Sequence, residues 1–281
     1  MQNSAKNRET GFTLIELLIA LALILVLLGS LASTFVIQQK TYNTQEQISE
    51  MTQNARAAMD IMIREIRMTG YGTPKSNLST WIDWVPGVTM DSNPKIEEGG
   101  SSSDIIHVAA CYDGSVGSLS VAASAGNTSI TLGSGEGAKF NTTTKKVIHI
   151  GDRENAVVTA ISSDTLTIDT DPTASGNQGL GNDYSSGDSV SIVKVISYSV
   201  VRGTENSKTV YTLKRNENLG AGRQPLADNI VDLQITQSNN TIEIDPLTAQ
   251  ADKPDTHYSP NNGYRTIDQR AYITPPNLLI N

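Results

Sequence analysis

The pattern of hydrophobic and polar positions divides the chain into three stretches. From Leu17 to Ile37 the residues are uncharged and nearly all apolar (LLIALALILVLLGSLASTFVI). As a helix at 1.5 Å per residue they span roughly 30 Å, the thickness of a bilayer hydrocarbon core. The pattern then becomes periodic. Ile48, Met51, Ala55, Ala58, Met59, Met62 and Ile66 recur every three or four residues, which predicts one apolar stripe on a continuing helix. Glu50, Arg56, Asp60, Arg64 and Arg67 fall away from that stripe, with Arg56–Asp60 and Asp60–Arg64 at the i,i+4 spacing of helical ion pairs. No proline precedes Pro74, so a helix is predicted from Phe12 to about Thr69, roughly 87 Å if straight, with Gly70, Gly72 and Pro74 ending it. Gly29-Ser30 is the soft point of its apolar half, where a kink would be expected during assembly.

Beyond Tyr71 no helical period is visible. Short alternating runs bounded by Gly, Ser, Asn and Asp predict strands at Asp104–Cys111, Ser129–Leu132, Val147–Ile150, Ala156–Ile161, Thr165–Asp169, Ser189–Ser199, Thr209–Arg215 and Ile230–Thr236. Between Ser115 and about Asp188 the composition shifts to Gly, Ser, Thr and Asn with very short strands. The alternation in Ala156–Ile161 and Thr165–Ile168 is too regular for a linker, so this stretch predicts an inserted β module, a small barrel.

Composition sharpens the division. Lys+Arg number 21 and Asp+Glu 29 in 281 residues, a formal charge of −8. By segment, Met1–Gly11 carries +1, Phe12–Gly70 carries −1 and Tyr71–Asn281 carries −8. An acidic body lacks the basic footprint that phosphate binding needs, which argues against a nucleic-acid partner. The single cysteine, Cys111, excludes an internal disulfide, and three scattered histidines leave little for a catalytic zinc. The apolar run is too long for the core of a secretory signal peptide, which leaves a membrane-spanning helix with Lys6 and Arg8 on its cytoplasmic side.

A plain anchor does not account for Glu16, a carboxylate at the start of the apolar helix that would cost about 2.5–3.5 kcal/mol at the bilayer centre. The surrounding residues Gly11-Phe12-Thr13-Leu14-Ile15-Glu16 resemble the recognition sequence of type IV prepilins. That resemblance implies cleavage after Gly11 by prepilin peptidase, methylation of the new N-terminal Phe12, and a short leader, residues 1–11. It also implies that Glu16 pairs with the α-amino group of Phe12 on a neighbouring subunit. The physics agrees, because a carboxylate in an apolar setting is tolerated when a cation satisfies it, and a helix N-terminus favours negative charge. The usual major pilin has a proline within the membrane helix, which this chain lacks.

Within Gln45–Gly72, the residues Arg56, Ala57, Glu65, Ile66, Arg67, Gly70 and Tyr71 resemble the stalk segment of PilW-type minor pilins. Val195–Thr236 resembles the same family more loosely, with a strand through Tyr198 pairing with one ending Leu213-Lys-Arg215, followed by Pro225–Ile230. The tail from Tyr272 resembles the family's last strand, although Pro276 stands where arginine is common. The implied fold is α+β and pilin-like. A long N-terminal α-helical stalk (membrane half 12–37, amphipathic half 38–72) packs on an antiparallel β-sheet domain (73–281) that carries the small all-β module inserted at about 115–188. Glu65 and Arg67 are expected to orient the stalk on that domain.

The implied role is that of a minor subunit of a type IV pilus. Its expected partners are prepilin peptidase, other major and minor pilin subunits and the inner-membrane assembly platform. The globular domain is expected in the periplasm before incorporation in a cell-surface pilus. A minor pseudopilin of a type II secretion system shares the N-terminal chemistry, and an adhesin acting through the inserted module is a third reading.

Little else points to chemistry. The run Asp164–Asp188 could supply oxygen ligands to Ca²⁺, as related pseudopilins do, but lacks EF-hand spacing and reads first as hairpin turns. His107, His149 and His257 read as strand or loop residues, Cys111 as a buried small hydrophobe, and Trp81 and Trp84 as core residues covering the stalk or as a contact patch. No phosphate-cradling glycine loop is present. No cofactor and no enzymatic activity are expected.

Overall fold

The computed structural model describes residues 12–205, 207–255 and 258–278. They divide into one unit ending at Ser49 and another starting at Glu50. One helix, α1 (Leu14–Arg67), supplies most of the first and the beginning of the second.

In the first unit the apolar side chains are bare, from Leu14 (80% exposed) to Ile37 (64%), and no helix residue before Met51 is buried. The stretch is long and apolar enough to cross a membrane. Helical geometry continues through Gly29-Ser30. Nearby hydroxyls turn back onto the helix: Ser30 Oγ donates to the Leu27 carbonyl (2.8 Å), Ser33 Oγ to Gly29 (3.0 Å) and Thr34 Oγ1 to Ser30 (2.9 Å). Such bonds make polar side chains acceptable where no water is at hand.

The second unit is built on the predicted stripe. Met51, Ala55, Ala58, Met59, Met62 and Ile66 are all buried, while Ile48 is exposed. They share one core with two antiparallel sheets. The first sheet has the order β1-β2-β9-β10-β11, formed by Lys95–Glu97, Ile105–Ala110, Lys194–Glu205, Lys208–Asn216 and Arg223–Asp228. The second is β12-β13-β14, formed by Ile230–Ser238, Thr241–Gln250 and Thr266–Ile273. Alternation along the central strands puts Ile106, Val108, Ile196 and Tyr198 into the core shared with α1. Ala109, Cys111, Val193 and Val195 belong to a separate cluster with the short helix α2 (Leu78–Trp81), Ile82, Val85 and Met90.

The stretch expected as an inserted module forms a third sheet with its own core. Its six strands run in the order β3-β8-β5-β6-β7-β4: Gly117–Ser118, Ser189–Ile192, Val147–Ile150, Glu154–Ser162, Thr165–Asp169 and Ser129–Thr131. An antiparallel bridge, Leu119 to Leu132, then joins the outer two strands. Gly133 N–H donates to the Ser118 carbonyl (3.0 Å) and Ser120 N–H to Thr131 (2.9 Å), so the sheet closes on itself as a small barrel. Closure leaves it no free edge.

Three expectations need correction. The single strand read at Ser189–Ser199 is two strands in different sheets. Val193 turns its N–H to the Val147 carbonyl (2.9 Å) as β8 leaves the barrel, and Lys194 opens β9 opposite Ala110. Both sides of the join are buried, so the apolar pattern hides the change of sheet. Strands β1, β3, β11 and β13 lie outside the runs read as strands, and β13 carries Asp245-Pro246 within it. The register shifts between Ile244 and Leu247 and accommodates the proline in an irregularity. Trp81 does not cover the stalk helix; it lies on the other side of the first sheet with Leu78, Val147 and Val157.

Candidate functional site

The N-terminal end of α1 is organised by two side chains. Thr13 N–H and Thr13 Oγ1 both donate to Glu16 Oε2 (2.9 and 2.8 Å), and Glu16 N–H returns a longer bond to Thr13 Oγ1 (3.4 Å). This reciprocal pattern is a capping box with Thr13 as N-cap, satisfying amide groups that a helix start leaves open. Leu17 N–H reaches the Thr13 carbonyl at 3.3 Å, the first bond of the helical ladder. Phe12 lies outside the helix, 90% exposed, and Gly11 falls outside the described residues. The spacing T-x-x-E at Thr13–Glu16 is the sequence signature of this box. Chemically the arrangement provides a carboxylate turned toward the chain's N-terminal side, whose Oε1 has no donor among the described residues.

At the other end of α1 the ladder stops at Gly70, whose φ of +88° is a left-handed conformation suited to glycine. Gly70 N–H bonds the Ala109 carbonyl (3.0 Å) and Cys111 N–H bonds Tyr71 (3.0 Å), joining the exit of the helix to β2. One turn earlier, Glu65 Oε1 and Oε2 accept from Arg215 Nη2 (2.8 Å) and Nε (3.0 Å), and Tyr198 Oη also donates to the carboxylate. Arg215 reaches Glu217 as well (2.8 Å). Burial and then the Glu65 carboxylate hold the Tyr198 phenol far above its ordinary range. Burial opposes the charge on Arg215, but hydrogen bonds to Glu65 and Glu217 outweigh it and keep the guanidinium strongly protonated. The network is an ion-paired clamp between helix and sheet. Arg67 is exposed and takes no part in it. Tyr198 stands opposite Arg215 in the β9–β10 register, as expected for that strand pair.

The aspartates of the Asp164–Asp188 run are engaged in turns. Asp164 accepts from Gly137 N–H (3.0 Å), Asp169 from Gln178 N–H (2.9 Å), Asp183 from Ala125 N–H (2.8 Å) and Asp188 from Ser185 N–H (2.9 Å). Among the described residues no three His, Cys, Asp or Glu side chains gather as a metal site. His107 is buried on β2, with Nδ1 2.6 Å from Ser197 Oγ and Nε2 3.4 Å from Glu97 Oε1. His149 packs edge-on to Tyr71, with ring centroids 6.4 Å apart. Burial lowers the pKa of both imidazoles. It pushes the Cys111 thiol up to about 12, so Cys111 is a packed, unreactive group. His257 lies outside the described residues.

Residues 6–32 match the prokaryotic N-terminal methylation motif. That match covers the capping box and most of the apolar stretch, and marks the segment as type IV prepilin-like, the kind of substrate that prepilin peptidase processes. Together with the exposed apolar helix it fits a membrane-anchored, pilin-like subunit with a structural role. Neither a search of curated proteins nor one of solved structures returns a match to the chain.

Proposed function

We propose that this chain is a PilW-type minor pilin of a type IV pilus, and the observation that carries the reading is the methylation motif directly ahead of an apolar helix and an α+β body. Prepilin peptidase cleaves after Gly11 and the Phe12 amine is methylated. The capping box suits that chemistry, because it starts the helix beyond Phe12, the residue that becomes the new N-terminus. A free ammonium beside the positive end of a helix is unfavourable on its own. Glu16 offsets it, and pairing with Phe12 of a neighbouring subunit sets the axial register as the subunit leaves the membrane. The Glu65–Tyr198–Arg215 clamp supports the narrower family reading. It brings together residues from the two separate segments, Gln45–Gly72 and Val195–Thr236, that resemble PilW-type chains. A barrel with its own core suits a tip or initiating complex better than a repeating shaft.

Mass spectrometry of the mature protein tests the processing step. The expected N-terminus is N-methylated Phe12, and a mature protein that starts elsewhere sinks the reading. The pairing role is tested separately by Glu16→Ala, which is expected to be cleaved yet excluded from filaments; normal incorporation refutes it.

A further inference from the structure

Outside the barrel, a cleft of about 400 Å³ lies between β10, the strands β12 and β13, and the turn Pro260–Gly263. Its volume falls within the 300–1,000 Å³ range of small-molecule sites, but its lining is polar rather than oily. Four carboxamide-bearing residues are among those that line it, Asn229, Gln250, Asn261 and Asn262, the last two on an exposed turn. Some such groups elsewhere in this body do structural work. Asn93 brackets Ala109 with two bonds of 2.9 Å, Asn155 bonds the Gly72 carbonyl (2.6 Å) and Asn218 bonds Ser197 Oγ (2.8 Å). Among the described residues, the four cleft amides have no side-chain hydrogen bond. Tyr211 and Tyr264 also line it. The one cation on the wall, Lys208, is neutralised by Asp252 Oδ1 at 2.7 Å.

The walls are tied together by hydrogen bonds. Asn229 (φ +60°) gives its N–H to the Tyr211 carbonyl (2.8 Å), and its own carbonyl accepts from Gln250 N–H (2.8 Å). The turn holding Asn261 (φ +51°) and Asn262 (φ +54°) is tied by Asp255 N–H to the Gly263 carbonyl (2.7 Å), while Arg265 grips Asp255 through Nη2 (2.8 Å) and Nε (3.1 Å). Preorganised donors and acceptors in pairs, aromatic faces and no uncompensated charge describe a receptor for a neutral, polyhydroxylated ligand.

We infer that this cleft is a binding site for a neutral saccharide, held by the four carboxamides and flanked by the two tyrosines. The inference is independent of the filament reading. The test uses the full chain in a detergent without a sugar headgroup, probed by saturation-transfer NMR with glucose, galactose, mannose, N-acetylglucosamine, lactose and, as an anionic comparison, sialic acid. Asn229→Gly combined with Asn262→Gly removes two amides at positions whose backbone suits glycine, so the fold is retained. Transfer to at least one neutral sugar is expected, with affinity about tenfold weaker in the double variant. Tyr211→Leu, which removes a ring and leaves the amides, is expected to weaken the same sugar. Absence of transfer from every neutral sugar at tens of millimolar overturns the inference, as does binding that both variants leave unchanged or a response confined to sialic acid.

Discussion

A Cβ on Gly72 would stand 2.6 Å from Cys111 Sγ and 3.1 Å from His149 Cδ2, and the residue's φ of +67° is one that side chains avoid. Gly72→Ala therefore meets both a packed thiol and a backbone penalty, and is expected to cost about 1–3 kcal/mol. A shift of the urea midpoint at constant m-value measures it. Cys111→Ala in the same chain should return only part of that loss, because the backbone term and the imidazole stay. Buried His107 and half-buried His149 give the body a pH dependence whose sign is determined. Burial lowers the folded-state pKa of His107 and His149 below the ordinary 6.5, so the unfolded chain binds more protons there. Their neutral forms contribute stability that is full above about pH 6.5 and is lost as pH falls toward the folded values. The melting temperature is expected to drop between pH 7.5 and 5, and His149→Gln to flatten that drop. An unchanged slope in the variant contradicts the role given to this imidazole.

At the scale of elements, α1 is held to the first sheet by the apolar stripe and by one clamp. The side chains of Glu65 and Arg215 are 17% and 20% exposed. Removing one partner of such a pair leaves the other charge poorly solvated, so Glu65→Ala is expected to cost about 3–5 kcal/mol in chemical denaturation. Adding Arg215→Met should recover part of the loss, since the stranded guanidinium is then gone. Tyr198→Phe removes a single hydroxyl and is expected to cost about 1.5–3 kcal/mol. The stripe was legible because a helix repeats its buried face at short, regular intervals, and Met51 to Ile66 lie in one register. Glu65 could be read as an orienting residue, but Arg215 lies 150 positions away and nothing local links the two. Strand β13 was obscured for the opposite reason. Its alternation is plain in Thr241–Ile244, but a proline that the ladder accommodates is spelled like one that ends it. Thr13 was legible as the first letter of a capping box, whereas the cleft amides could not be found at all, because only the fold brings Asn229, Gln250 and Asn262 to one place.

At the scale of the whole chain, the barrel is inserted at what would otherwise be the tip of a hairpin. Ala110 and Lys194 face each other across β2 and β9, so Cys111 and Val193 are the next positions in that register, and residues 112–192 leave and return there. Replacing 112–192 with Asn-Gly gives the turn that a two-residue hairpin favours. The core around α1 draws its residues from the helix and the first two sheets, and the barrel core draws its own from Leu119 to Ile192. The two are bridged by the cluster in which Val147 and Val157 meet Leu78, Trp81, Val193 and Val195. The shortened chain is therefore expected to keep its helix and its β9–β10 pairing while losing the cover over Trp81. Far-UV circular dichroism should show retained helix with one cooperative transition at a lower temperature than the parent. If the shortened chain loses its helical signal instead, the barrel is part of what folds the body. If it folds, the same variant serves for function in cells: normal piliation with lost adhesion assigns binding to the barrel, whereas lost piliation assigns it an assembly role. Saccharide binding separates from both, because the cleft lies on strands that the replacement leaves in place.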